Sequence, residues 1–129
     1  MSTTPPSGIL LFAHGARDPR WAEPFLRIAD RVRSAAPDSA VELAYLESMQ
    51  PDLDEGVRRL LAKGARKIRL VPLFLGPGDH LRRDVPALVR AAELATPGLA
   101  IELAEAAGTD DGVIAAIAAY CVMSRSNQV

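Results

Sequence analysis

Residues Leu70 to Pro86, LVPLFLGPGDHLRRDVP, decide how the rest of the chain is read. The run begins as a continuous apolar segment, breaks at Gly76-Pro77-Gly78, and then sets one histidine, His80, between an acid and two arginines. An uninterrupted apolar run of this length, bounded by glycine and proline, predicts a strand covered on both faces, here over Lys67–Leu75. His80 to Arg83 reads as loop or a short helical turn. Asp84 is then the candidate N-cap of a helix with Pro86 in its first turn, running to about Ala95.

An earlier stretch, Ile9 to Pro19 (ILLFAHGARDP), repeats this grammar: an apolar strand that stops at a histidine, a glycine and an arginine. The chain has 2 histidines, so both follow the end of a predicted strand. After Ile9–Ala13, Pro19 opens a helix in which Trp21, Phe25, Ile28, Ala29, Val32 and Ala36 fall at helical spacing, and Pro37-Asp38 stops it. Val41–Leu46 is the second strand and ends at Glu47. A helix from near Pro51 carries the stripe Leu53, Val57, Leu60, Leu61 and ends at Gly64. Leu99–Leu103 is a fourth strand, and Asp110 or Asp111 caps a last helix through Val113, Ile114, Ile117 and Tyr120.

Strand and helix thus alternate four times. The order implies an α/β three-layer sandwich, a four-stranded parallel sheet with helices on both faces. Ligands bind such sheets beyond the carboxyl ends of the strands, above all where strand order reverses. His14, Glu47 and His80 follow strands one, two and three, so all three belong on one edge.

Length and composition restrict the function classes. At 129 residues the chain fits one domain, expected over 8–121, with residues 1–7 a loose polar lead and 122–129 a frayed polar tail. A formal charge of -1, from 15 basic and 16 acidic residues, gives no electrostatic footprint for nucleic acid or a membrane surface. No apolar run reaches the roughly 20 residues that cross a bilayer, and the N-terminus lacks the regions of a signal peptide. The single cysteine, Cys121, cannot form an internal disulfide and reads as a small buried residue near a helix end. A reducing cytoplasm is the simplest home.

Two imidazoles and a carboxylate make a borderline ligand set for divalent cobalt, nickel, iron or zinc, and three protein ligands leave coordination positions open. The alternative for each histidine is a hydrogen-bonded structural group, and for Glu47 a loop cap. Arg17 and Arg20 lie near His14, and Arg82 and Arg83 beside His80. As a group they point to an acidic guest; singly, each is a solvated surface charge. Asp18 and Asp84 read as turn and cap residues.

The blocks His14-Gly15-Ala16-Arg17-Asp18-Pro19, Trp21-Ala22-Glu23-Pro24-Phe25, Val41 to Glu47, Val71 to Leu75, Gly78-Asp79-His80 and Asp84-Val85-Pro86 occur in an order that resembles the small CbiX/SirB-type sirohydrochlorin chelatases. The likeness covers about residues 8 to 120. Ala16 departs from it, because the family usually carries a serine there, and Ala104 to Asp111 matches weakly.

The resemblance implies a class II chelatase fold, with metal held by His14 and His80 and assisted by Glu47. It implies insertion of a divalent metal, cobalt first and Fe2+ or Ni2+ as alternatives, into sirohydrochlorin for cobalamin or siroheme. Arg17, Arg82 and Arg83 would grip the carboxylates that fringe the macrocycle. No organic cofactor is expected, and the chain shows no phosphate-binding glycine motif of the Walker type. Longer relatives contain two such units, so a homodimer is expected of this one. A non-catalytic metal- or tetrapyrrole-binding protein of the same fold is the competing reading. A phosphohistidine phosphatase would need an arginine where Ala13 stands.

Overall fold

The computed structural model describes residues 5–76 and 78–124; the side chain of His80 lies outside what it describes. Four parallel strands, β1 (Gly8–Ala13), β2 (Ala40–Tyr45), β3 (Lys67–Pro72) and β4 (Ala100–Leu103), form one sheet in the order β2-β1-β3-β4. From β1 the chain moves outward to β2, then returns past β1 to β3 and continues to β4. Strand order therefore reverses between β1 and β3, where crevices open at the carboxyl edge of such sheets.

Side-chain alternation along the strands builds two cores. On one face Leu10 and Phe12 of β1, Ala44 of β2 and Ile68 and Leu70 of β3 pack under helices α2 (Leu53–Ala62) and α3 (Gly78–Ala95), through Leu53, Val57, Leu60, Val85 and Val89. On the other face Leu11, Ala13, Val41, Leu43 and Tyr45 meet α1 (Glu23–Ala35) and the 3-10 turn Pro19–Ala22 that leads into it. The expected parallel sheet with helices on both faces is the observed one. Asp18 caps the 3-10 turn by accepting from the Arg20 amide at 2.9 Å. Asp52 and Asp110 do the same for α2 and for α4 (Asp111–Val122).

Three expectations need correction. The third strand ends at Pro72 rather than Leu75, because Pro72 has no N–H to continue a ladder. Leu73 still donates to the Phe12 carbonyl at 2.8 Å, Phe74 turns into the α2/α3 core, and Leu75 is exposed. The third helix begins at Gly78, so His80, Arg82 and Arg83 are helical, and Asp84 lies inside the helix rather than at its cap. Pro86 marks no first turn. The stripe Leu81, Val85, Val89, Ala92 packs on the sheet and outweighs the one backbone bond that proline removes. Cys121 is exposed rather than buried, on a helix with no buried residue. No helix among the described residues is long and apolar enough to cross a membrane.

Tyr45, buried at the end of β2, has its phenol pushed above the ordinary value of 10.0 by loss of water. The folded state thus holds the phenolic proton more tightly than the unfolded chain. The stability that the neutral phenol contributes is complete below about pH 10 and is lost as pH rises through the raised folded value. Urea midpoints measured from about pH 9 to 11 should fall more steeply for the native chain than for Tyr45→Phe; parallel declines would contradict this.

Candidate active site

The site starts from backbone pairing that continues past the strands. Leu46 N–H donates to the Ala13 carbonyl at 2.9 Å, and Glu47 N–H to the His14 carbonyl at 3.1 Å. The first two loops at the carboxyl edge are thereby held in register. Gly15 makes this approach possible. Its φ is +94°, and a Cβ built there would fall 1.9 Å from the Glu47 carbonyl oxygen, so only glycine fits. On the other loop Ser48 takes φ 66°, a left-handed backbone that a serine adopts at a cost.

These two loops bring His14 and Glu47 together across 33 residues of sequence, with His14 Nε2 2.8 Å from Glu47 Oε1. The side chains are 49% and 60% exposed, so water screens the pair and it adds little to stability. What it supplies is a nitrogen and an oxygen donor side by side and open to a ligand. The buried Phe74 meets the His14 ring edge-on, with centroids 6.4 Å apart, and forms the wall on the β3 side.

His80 stands in the first turn of α3, which starts from the loop after β3 at the same edge. Its side chain lies outside the described residues. Among those residues no group of three or more His, Cys, Asp or Glu stands together. The histidine–glutamate pair is thus brought together, and His80, the third residue expected there, is placed only by its backbone.

The arginines divide. Arg20 is tied to Asp18 by a two-pronged contact, Nη2 to Oδ2 at 2.8 Å and Nε to Oδ1 at 3.2 Å. This pair holds the Asp18 carboxyl below its usual range and raises the guanidinium. Among the described residues Arg17, Arg82 and Arg83 form no ion pair. Arg82 lines a cavity of about 440 Å³ with Phe74, Val85, Glu105 and Thr109, at the carboxyl ends of β3 and β4.

Sequence reasoning left that wall, Ala104 to Asp111, open. Gly108 N–H donates to the Phe74 carbonyl at 2.8 Å, and a Cβ on Gly108 would fall 1.9 Å from the Leu75 carbonyl oxygen. The segment after β4 is therefore pressed against the loop after β3. Gly108 itself was the available signal, since an isolated glycine marks close backbone approach.

Residues 8–121 match the CbiX family model. The chain belongs to the CbiX family. Over 82 residues, 64% of this chain and 62% of the relative, it is 42% identical to the sirohydrochlorin cobaltochelatase of Saccharolobus solfataricus. It is 31% identical over 85 residues to that of Methanococcus aeolicus, with 66% of this chain and 59% of the relative covered. The match thus spans about three fifths of the length of these curated relatives. The CbiX protein of Marinobacter aquaeolei VT8 superposes with a TM-score of 0.79 at 38% identity, covering 90% of this chain and 94% of that one. The sirohydrochlorin chelatase SirB of Bacillus subtilis subspecies spizizenii, crystallised with cobalt, shares the fold with a TM-score of 0.77 at 24% identity. That match covers 88% of this chain and 48% of SirB.

The two unusual backbone positions should respond in opposite directions. Gly15→Ala should lose about 2–4 kcal/mol of stability in urea unfolding, whereas Ser48→Gly should gain about 1 kcal/mol by relieving the left-handed residue. A Gly15→Ala chain as stable as the native one would contradict the close approach of the two loops.

Proposed function

We propose that this chain inserts a divalent metal into sirohydrochlorin. The observation that carries the reading is the 2.8 Å separation of His14 Nε2 and Glu47 Oε1, on open side chains beside the point where strand order reverses. Two donors each ~2.1 Å from one ion and at right angles to each other lie about 3.0 Å apart. The pair can therefore exchange its shared proton for a metal with little movement. A six-coordinate ion held this way keeps positions for water and for an incoming ring nitrogen.

His14 and Glu47 hold the ion, and His80 completes the set from the first turn of α3. Insertion exchanges one M2+ for two pyrrole protons. As the ion passes to the ring nitrogens, the vacated His14–Glu47 pair takes up one proton between Nε2 and Oε1, and His80 takes the other. Arg17, Arg82 and Arg83, which bear no ion pair among the described residues, hold the fringe carboxylates and set the ring over the metal. The N-terminal end of α3 adds to the positive field met by these carboxylates.

Cobalt is the favoured ion, supported by the names of the curated relatives, with Fe2+ and Ni2+ as alternatives of similar ligand preference. The product belongs to cobalamin or siroheme formation. The reaction uses no organic cofactor, takes place in the cytoplasm away from nucleic acid and membrane, and is carried out by a homodimer.

Anaerobic mixing of the protein with sirohydrochlorin and Co2+, followed by visible absorption against a protein-free control, tests the reading. Many turnovers per chain are expected. His14→Ala and His80→Ala should each lower the rate by about a hundredfold or more with circular dichroism unchanged. Full rates in both variants would overturn the assignment, and stoichiometric binding without turnover would favour a carrier. Replacing Arg82 and Arg83 together by glutamine should raise KM by about tenfold or more while leaving the dependence on Co2+ concentration in place. An unchanged KM would remove the carboxylate clamp.

A further inference from the structure

The cavity of about 440 Å³ at the carboxyl ends of β3 and β4 is lined by a cation and an acid that do not pair. Arg82 comes to it from α3 and Glu105 from the segment after β4, and neither forms an ion pair among the described residues. Thr109, the other polar side chain of the lining, is committed to its own loop, since its hydroxyl donates to the Ala106 carbonyl at 2.7 Å. Between the two charges the wall is apolar, from Phe74, Val85, Pro86 and Leu103.

The backbone holds Glu105 in place on both sides. Ala104 N–H donates to the Leu70 carbonyl at 2.9 Å, one step beyond the β3–β4 ladder, and Ala106 is buried. Gly108 N–H then ties the segment to the Phe74 carbonyl. Only the Glu105 side chain is left free to turn. Phe74 belongs both to this cavity and to the wall against His14, so a ring lying over the His14–Glu47 pair brings its rim to the cavity. In a mouth that receives an acidic ring, an unpaired carboxylate adds no attraction. It acts by exclusion, the repulsive half of a selective site.

We propose that Glu105 is a specificity-determining residue. The cavity takes a stretch of the ring's rim on which a carboxylate arm, held by Arg82, stands beside an apolar substituent, held by Val85, Pro86 and Leu103. Glu105 rejects a stretch that puts a second carboxylate arm where that substituent would stand. This rests on the chelatase reading and deepens it: Arg82 supplies affinity, and Glu105 decides which part of the rim enters. Sirohydrochlorin offers both kinds of rim, because methyl groups stand on some of its rings and not on others. The rejection therefore also sets which way round the ring lies.

Metal-free porphyrins supply the probe. Coproporphyrin carries a methyl beside each carboxylate arm, whereas uroporphyrin carries a second carboxylate arm in that place. Their Kd values for the full chain are read by fluorescence titration at ~0.15 M salt, where charges more than about 8 Å apart are largely screened. Circular dichroism checks that each variant folds. Glu105→Gln should tighten uroporphyrin about tenfold and leave coproporphyrin within about twofold. Glu102→Gln removes the same charge from β4 outside this cavity and should move neither by more than about twofold. An unchanged ratio of the two Kd values in Glu105→Gln, or an equal shift in Glu102→Gln, would overturn the proposal and leave the chelatase reading to be judged by turnover. A native chain that binds neither porphyrin would also overturn it, and one that fails to bind sirohydrochlorin as well would overturn the reading beneath it.

Discussion

The hydrogen bond from Glu47 N–H to the His14 carbonyl, 3.1 Å long and one step beyond the β1–β2 ladder, is the contact on which the site depends. Parallel strands present their carboxyl ends on the same edge, but the ladder alone would leave the two loops free to diverge. By continuing through Leu46 and Glu47, the pairing carries the register of the sheet into the loops. The imidazole and carboxylate meet as a result. Their own attraction, between two half-exposed groups, is too weak to set this geometry. Gly15 lets the backbones approach, and Ser48 bears the strained turn beyond Glu47.

Much of this was legible in the residues because it depends on strong local signals. The apolar runs at Ile9–Ala13 and Val41–Leu46 and the alternation of strand with helix led directly to a parallel sheet and to a shared edge for His14 and Glu47. The start of α3 was misread because Pro86 looked like a first-turn residue; the stripe from Leu81 through Ala92 is a longer-range signal and it prevailed. The segment 104–109 gave little pattern to read, since its role is to press backbone on backbone at Gly108 and Phe74. In α4 helical spacing gave the right element, but spacing does not state where an apolar helix finds its core.

The last helix and the candidate site share a mechanical element. The turn from which α4 departs is the one whose Gly108 holds the Phe74 carbonyl, and Phe74 in turn forms the wall against His14. The root of the helix and the wall beside the His14–Glu47 pair are thus joined by one hydrogen bond.

The central claim is that His14 and Glu47 hold one divalent ion at the carboxyl edge of the sheet. X-ray absorption at the cobalt edge, on protein loaded with one equivalent of Co2+, measures this most directly. The account predicts outer-shell scattering from imidazole that weakens in His14→Ala. A spectrum in both proteins that matches the hydrated ion, with no imidazole contribution, would contradict it.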